Sequence, residues 1–163
     1  MYGFAMGRRS FQNRRLSFFL SLAGAWIFGV VSCTTIAKYD QAAYANAVAL
    51  KVDTLALMES ATNAYSSKRE EIAVFERQMA KTYEYDRGRP LNQKTLQMWD
   101  VLLKTDPAYP ENGIWPRFLD RWKQSEKLSA AYIREKKENV ASAFDKIIGL
   151  ESGKLRASDV KTQ

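Results

Sequence analysis

Histidine is absent from the 163-residue chain, and cysteine occurs once, at position 33. The first absence removes the most versatile acid–base side chain and the commonest metal ligand. The second excludes an intrachain disulfide. Glycine and proline are sparse, 8 and 4 residues, and neither occurs between Lys38 and Ala64. Period-two alternation bounded by turn signals is missing, so no strand is expected. No internal repeat and no EF-hand spacing is present. With so few ligating side chains, neither a metal nor a cofactor is expected.

Acidic residues are missing from one region in particular. The chain carries 25 Lys+Arg against 18 Asp+Glu, a formal charge of +7. Arg8, Arg9, Arg14 and Arg15 lie in the first 32 residues, where no carboxylate occurs. Without them the balance is 21 against 18, or +3. The basic excess is therefore mostly local. The remaining charges alternate in sign, as in SKREE and REKKEN, and read as solvated helix faces. Nucleic-acid binding is not expected.

After the arginines, Leu16 to Val31 runs without a charge. Basic, apolar, then small is the order of a secretory signal. The run is close to the roughly 17-residue minimum for a membrane-spanning helix, so an uncleaved single-pass anchor is the competing reading. Arg8-Arg9-Ser10-Phe11 partly fits twin-arginine export, but Gln12 stands where an apolar residue is usual, and the general secretory route is preferred. Met6 is a plausible alternative start.

Val30-Val31-Ser32-Cys33 resembles the lipobox of bacterial lipoproteins, although leucine is more typical where Val30 stands. The resemblance covers residues 1–33. It implies cleavage of residues 1–32, diacylglyceryl and fatty-acyl groups on Cys33, and a membrane-lipid partner. The chemistry needs a thiolate nucleophile. Several chains on one residue anchor far more firmly than one. Thr34 follows in place of an inner-membrane-retaining aspartate. The resemblance therefore implies the periplasmic leaflet of the outer membrane in a Gram-negative cell, or the outer face of the plasma membrane in a Gram-positive one.

Residues 33–37 read as a lipidated N-terminus and tether, 38–150 as one all-α domain, a bundle of about five helices, and 151–163 as a flexible tail. The first helix is expected from about Lys38 to Ala64, with Tyr44, Val48, Leu55 and Met58 on its face. A capping box at Ser67 and Glu70 opens the second, carrying Ile72, Phe75, Met79 and Tyr83, and the two are expected to pair. Asn92 caps the third, with Leu96, Trp99 and Leu103 inward. Pro116 suits the first turn of a fourth, and Ser129 opens a fifth with Ile133, Val140, Phe144 and Ile147 in phase.

Catalytic sets are weak. Ser125, Lys127 and Ser129 are close, but Ser129 has a capping role, and Glu84 and Asp86 lie two apart on a helix and read as surface. The strongest candidate binding surface is aromatic: Trp99, Tyr109, Trp115, Phe118 and Trp122, around the loop TDPAYPENG. Large aromatics dominate both cores and interface hot spots, so closure of the bundle is the competing reading. The functional expectation is a non-enzymatic, lipid-anchored envelope protein acting as scaffold, adaptor or accessory subunit with an envelope protein partner. The alternative is a ligand-binding or surface-exclusion lipoprotein with a Trp-rich groove.

Overall fold

The computed structural model describes residues 37–104 and 113–160. Five α-helices and no strand occur among them: α1 (Gln41–Glu59), α2 (Arg69–Arg87), α3 (Gln93–Leu103), α4 (Ile114–Ser125) and α5 (Ala130–Glu151). Cys33 and Tyr109 lie outside the described residues.

Local chemistry sets most boundaries. Asp40 caps α1, its Oδ1 accepting from the Ala43 N–H at 2.9 Å. Ser129 caps α5 in the same way, accepting from the Tyr132 N–H at 3.3 Å. The expected break between the first two helices is present: two 3₁₀ turns, Ser60–Thr62 and Tyr65–Lys68, separate α1 from α2. The capping box does not form. Ser67 Oγ instead donates back to the Ala64 carbonyl at 2.7 Å, which serves the 3₁₀ turn. Asn92 precedes α3 without a side-chain cap. It is buried, and its Nδ2 donates to the Asp86 carbonyl at 2.9 Å.

The principal partner of α1 is α5, not α2, and α5 also packs extensively on α3. The reason lies in the face that α1 buries: Ala43, Ala47, Leu50, Thr54, Leu57 and Met58. These recur at steps of four and three, and the alanines admit a close helix neighbour. Tyr44, Val48 and Leu55 are displaced to half-buried flanks. The stripes of α2 and α5 are as expected, with Ile72, Phe75 and Met79 buried on one and Ile133, Val140, Phe144 and Ile147 on the other. Tyr83 is half-buried against the same core. In α3 the buried residues are Thr95, Met98, Trp99 and Leu102, with Leu96 and Leu103 half-buried.

The expected flexible tail is folded as far as residue 160. Gly153, at φ +70°, reverses the chain after α5. Leu155 then returns over Gly149, where a Cβ would fall inside its side chain. Val160 ends in the core. Gly149 is thus a seat for the tail and does not weaken α5.

Two connections are tightly built. Glu126, at φ 57° and ψ −34°, centres a three-residue turn in which the Lys127 N–H donates to the Ser125 carbonyl at 2.6 Å. Such turns are strained for an L-residue. This one is stapled: Ser66 donates to the Glu126 carboxylate from N–H and hydroxyl, at 3.1 and 3.0 Å. The Tyr65 N–H donates to the Glu126 carbonyl at 2.7 Å. The second is Gly113, which precedes α4 and donates to the Lys104 carbonyl at 2.6 Å. A Cβ there would stand 2.7 Å from the Leu102 carbonyl oxygen and 2.8 Å from its carbon. Backbone cannot step aside as a side chain can. Gly113→Ala is therefore expected to destabilise the fold by about 1–3 kcal/mol, the usual cost of overpacking. Urea unfolding measures this, and an unchanged midpoint would contradict the close approach.

Candidate functional site

The apolar stripe of α2 advances through Ile72, Phe75, Met79 and Thr82, and its next step is Asp86. That of α5 advances through Val140, Phe144 and Ile147, and its next step is Glu151. Two carboxylates thus stand in core registers, and both are essentially buried. Each is also at a helix C-terminus, where the backbone dipole disfavours negative charge. Asp86 is accordingly not the surface residue that its neighbour Glu84 is.

Arg89, just beyond α2, gathers these groups. One guanidinium nitrogen, Nη1, binds Glu151 Oε2 and lies 3.6 Å from Asp86 Oδ1. The other, Nη2, donates to the Lys38 carbonyl at 2.8 Å. Its Nε is 3.9 Å from Asp40 Oδ2. That same oxygen accepts from the Tyr85 hydroxyl at 3.0 Å. Trp99 Nε1 donates to Asp86 Oδ2 at 2.7 Å. The cluster therefore joins the residues preceding α1, the ends of α2 and α5, and the middle of α3.

Its charges do not balance. Three carboxylates face one guanidinium. Asp86 Oδ1, Glu151 Oε1 and Asn92 Oδ1 are buried acceptors that receive no hydrogen bond. Burial pushes Asp86 up to about 6. The indole N–H of Trp99 pulls the other way, the charge of Glu151 adds to the rise, and Arg89 opposes it. Asp40 moves down, held chiefly by its hydrogen bond from Ala43. Burial works against the charge of Arg89, but Glu151, Asp86 and Asp40 outweigh it and keep the guanidinium protonated. Chemically, the cluster can take up one proton near pH 6, and it can fix the chain leading into α1. Among the described residues no group of three or more carboxylates, histidines or cysteines is placed to hold a metal ion.

The aromatic candidates are placed differently from a binding surface. Trp99, Trp115, Phe118 and Trp122 are each at most 2% exposed. The rings of Trp115 and Phe118 stack, and Phe118 meets Trp122 edge-on. Trp122 Nε1 donates to the Asn63 carbonyl at 3.0 Å. Trp99 meets Phe144 edge-on at 5.7 Å and belongs to the charged cluster as a donor. These four rings are core packing, because burying such large apolar faces outweighs any gain from displaying them. One opening remains beside them, a groove of about 400 Å³ between α2 and α4, lined by Met79, Leu103, Trp115 and Leu119 among others. The Trp115 indole N–H is buried and has no acceptor. Arg89 and Glu151 carry no sequence expectation, Asp86 is expected at the surface and Asn92 as a helix cap; the structure buries Asp86 and Asn92 together. The signal that finds the two carboxylates is a charge standing in phase with an apolar stripe.

Comparisons with protein-family models, with curated proteins and with solved structures find no match to this chain.

The raised pKa fixes the sign of a pH dependence. A carboxyl that ionises near 6 when folded and near 3.8 when unfolded favours folding while protonated. That contribution is complete below about pH 3.8 and is lost as pH rises through 6. Its size is of order 3 kcal/mol. Asp86→Asn keeps an oxygen for Trp99 and replaces one of the three unbonded acceptors by a donor. The variant is expected to be more stable than the native chain at pH 7.5, with the gap narrowing by about half at pH 5. Thermal melts at the two pH values decide this, and a gap independent of pH would refute the assignment.

Proposed function

We propose that this is a lipid-anchored, non-enzymatic protein of the cell envelope, in which the helical bundle is an interaction scaffold or accessory subunit held to the membrane through an acylated Cys33. The basic–apolar–small–cysteine order of residues 8–33 supports the anchor. The observation that carries the reading is the clamp on the residues preceding α1. Arg89 holds the Lys38 carbonyl, and Asp40 receives Ala43 and Tyr85. Residues 38–40, just downstream of the proposed anchor, are thereby tied to the ends of α2 and α5 and the start of α1. Growing cells with a fatty-acid analogue are expected to label the native protein and not Cys33→Ser, with a mature N-terminus at Cys33. Equal labelling, or an N-terminus still at Met1 or Met6, would sink the anchor.

A second reading, a ligand-binding lipoprotein, rests on the α2–α4 groove and the unpartnered indole N–H of Trp115. The buried ring offers no free face for stacking. The fitting ligand is an apolar chain bearing a hydrogen-bond acceptor. Short-chain phosphatidylcholine below its micelle concentration is expected to alter tryptophan emission in the native protein and not in Trp115→Phe. No change in either removes this reading.

A further inference from the structure

Six large apolar side chains are exposed among the described residues: Tyr39, Val52, Val74, Tyr85, Leu91 and Val101. Three of them are not scattered. Tyr85 donates to Asp40, the residue after Tyr39. Arg89, two residues before Leu91, donates to Lys38, the residue before Tyr39. Tyr39, Tyr85 and Leu91 therefore decorate one end of the bundle, the end with the buried charge cluster beneath it. We propose that this end is a membrane-docking face that seats on an anionic phospholipid bilayer. The inference rests on the anchored reading above for its biological setting, and on the following geometry for its chemistry.

Leu91 is the most telling of the three. Its φ is 61°, in the left-handed region that leucine rarely adopts. It is half exposed, so the strain is not compensated by burial of its own side chain. Its neighbour Asn92 is buried and bound to Asp86, which holds the backbone in place. A strained backbone that presents an apolar side chain to water gains nothing in folding. It gains on contact with an apolar phase. Tyrosine is the residue type that suits the headgroup layer, with an apolar ring and a polar tip, and two tyrosines flank the leucine here.

The charge on this face has the right sign. Lys38, Lys154 and Arg156 are exposed, and the exposed Arg87 is neutralised by its pair with Glu84. Lys154 follows Glu151 by three residues, and Glu151 is bound to Arg89. Most carboxylates at this end are withdrawn. Asp86 and Glu151 are buried, Asp40 is engaged by Ala43 and Tyr85, and Glu84 is paired with Arg87 at 2.7 Å. Asp159, exposed and accepting from the Arg156 N–H at 2.9 Å, offsets Arg156, so Lys38 and Lys154 are the outward charges that remain, and basic residues near an anionic leaflet each add to attraction. Chain length agrees. Four residues lie between Cys33 and Lys38, and the five steps span at most about 18 Å even fully extended. An acyl group on Cys33 would keep Lys38 within that reach of the bilayer.

The test uses residues 34–163, which lack the proposed anchor; the described core is drawn entirely from residues 43–160. Co-sedimentation is measured with vesicles of phosphatidylglycerol and phosphatidylethanolamine, and with vesicles of phosphatidylcholine. Binding to the first is expected to exceed binding to the second and to weaken with salt. Leu91→Asn is expected to lower the partition coefficient about tenfold, the effect of withdrawing one leucine from an apolar phase. Its melting temperature is expected to be unchanged or higher, because asparagine tolerates the left-handed region. Val101→Asn, away from this end on α3, is expected to bind as the native chain does. Absence of binding to anionic vesicles, or equal binding by Leu91→Asn, overturns the proposal. Failure of Cys33 labelling with intact vesicle binding would remove the anchor alone. Labelling without vesicle binding would remove the docking face alone.

Discussion

The guanidinium of Arg89 is the constraint on which the arrangement of the bundle depends. Among the described residues it is the cation that meets Asp86 and Glu151 where both have been taken out of water. Each buried carboxylate alone would cost several kcal/mol in lost hydration. Arg89 offsets part of that cost only if α2 and α5 end in a fixed relation and residues 38–40 lie across its outer edge. Any slip in α5 moves Glu151 away from the guanidinium. Any fraying before α1 removes the Lys38 carbonyl. The cluster therefore penalises alternative packings more than it stabilises the native one, a role that buried polar groups fill in some folds.

Stability comes from elsewhere in the molecule. Phe75, Trp115, Phe118 and Trp122 form a train of ring contacts that draws in Tyr65 and Tyr132. Buried aromatic area is the largest apolar contribution a small core can obtain per residue. The same train needs the chain to turn sharply between α4 and α5, which is where Glu126 takes its strained conformation. The staple from Ser66 and Tyr65 holds that turn, and the Leu128 N–H donates to the Ala61 carbonyl beside it. Rigid ring packing thus meets the strain at Glu126, whereas the charged end relies on hydrogen bonds and ion pairs.

How much of this is legible in the sequence depends on the kind of signal. The five helices are legible because Ile72, Phe75 and Met79, or Ile133, Val140, Phe144 and Ile147, repeat at helical spacing, and because Ser129 is a strong cap. The face of α1 is not, since aromatic and branched residues outrank alanine on any hydrophobic scale, yet Ala43 and Ala47 decide how closely α5 can approach. Ser67 and Glu70 fit a capping box locally, and the tertiary demand for a 3₁₀ turn overrides it. The tail is misjudged because Gly149 and Gly153 look like helix breakers. One of them is a seat for Leu155 and only the other is a reversal. As for the site, tryptophans attract attention by size, and size is what buries them. Asp86 is overlooked because adjacent Glu84 makes the pair look like ordinary surface charge. Its register on the α2 stripe distinguishes it.

A polar cluster that costs stability at neutral pH would be expected to relax toward apolar residues if stability alone shaped this end of the bundle. Its location argues for a constraint of another kind. The cluster lies where the chain leading from Cys33 joins the helices, and above it stand the exposed Tyr39, Tyr85 and strained Leu91. An apolar core at this point could leave residues 38–40 with no partner for Asp40 or the Lys38 carbonyl, and the chain would leave the bundle in no fixed direction. Charged hydrogen bonds are directional where apolar contacts are not. Arg89 therefore supplies what burial cannot, a fixed path for residues 38–40 across the ends of α2 and α5. The same guanidinium draws Glu151 inward and holds Asp40 beside Tyr85, so that two carboxylates which would otherwise face water are committed to the junction.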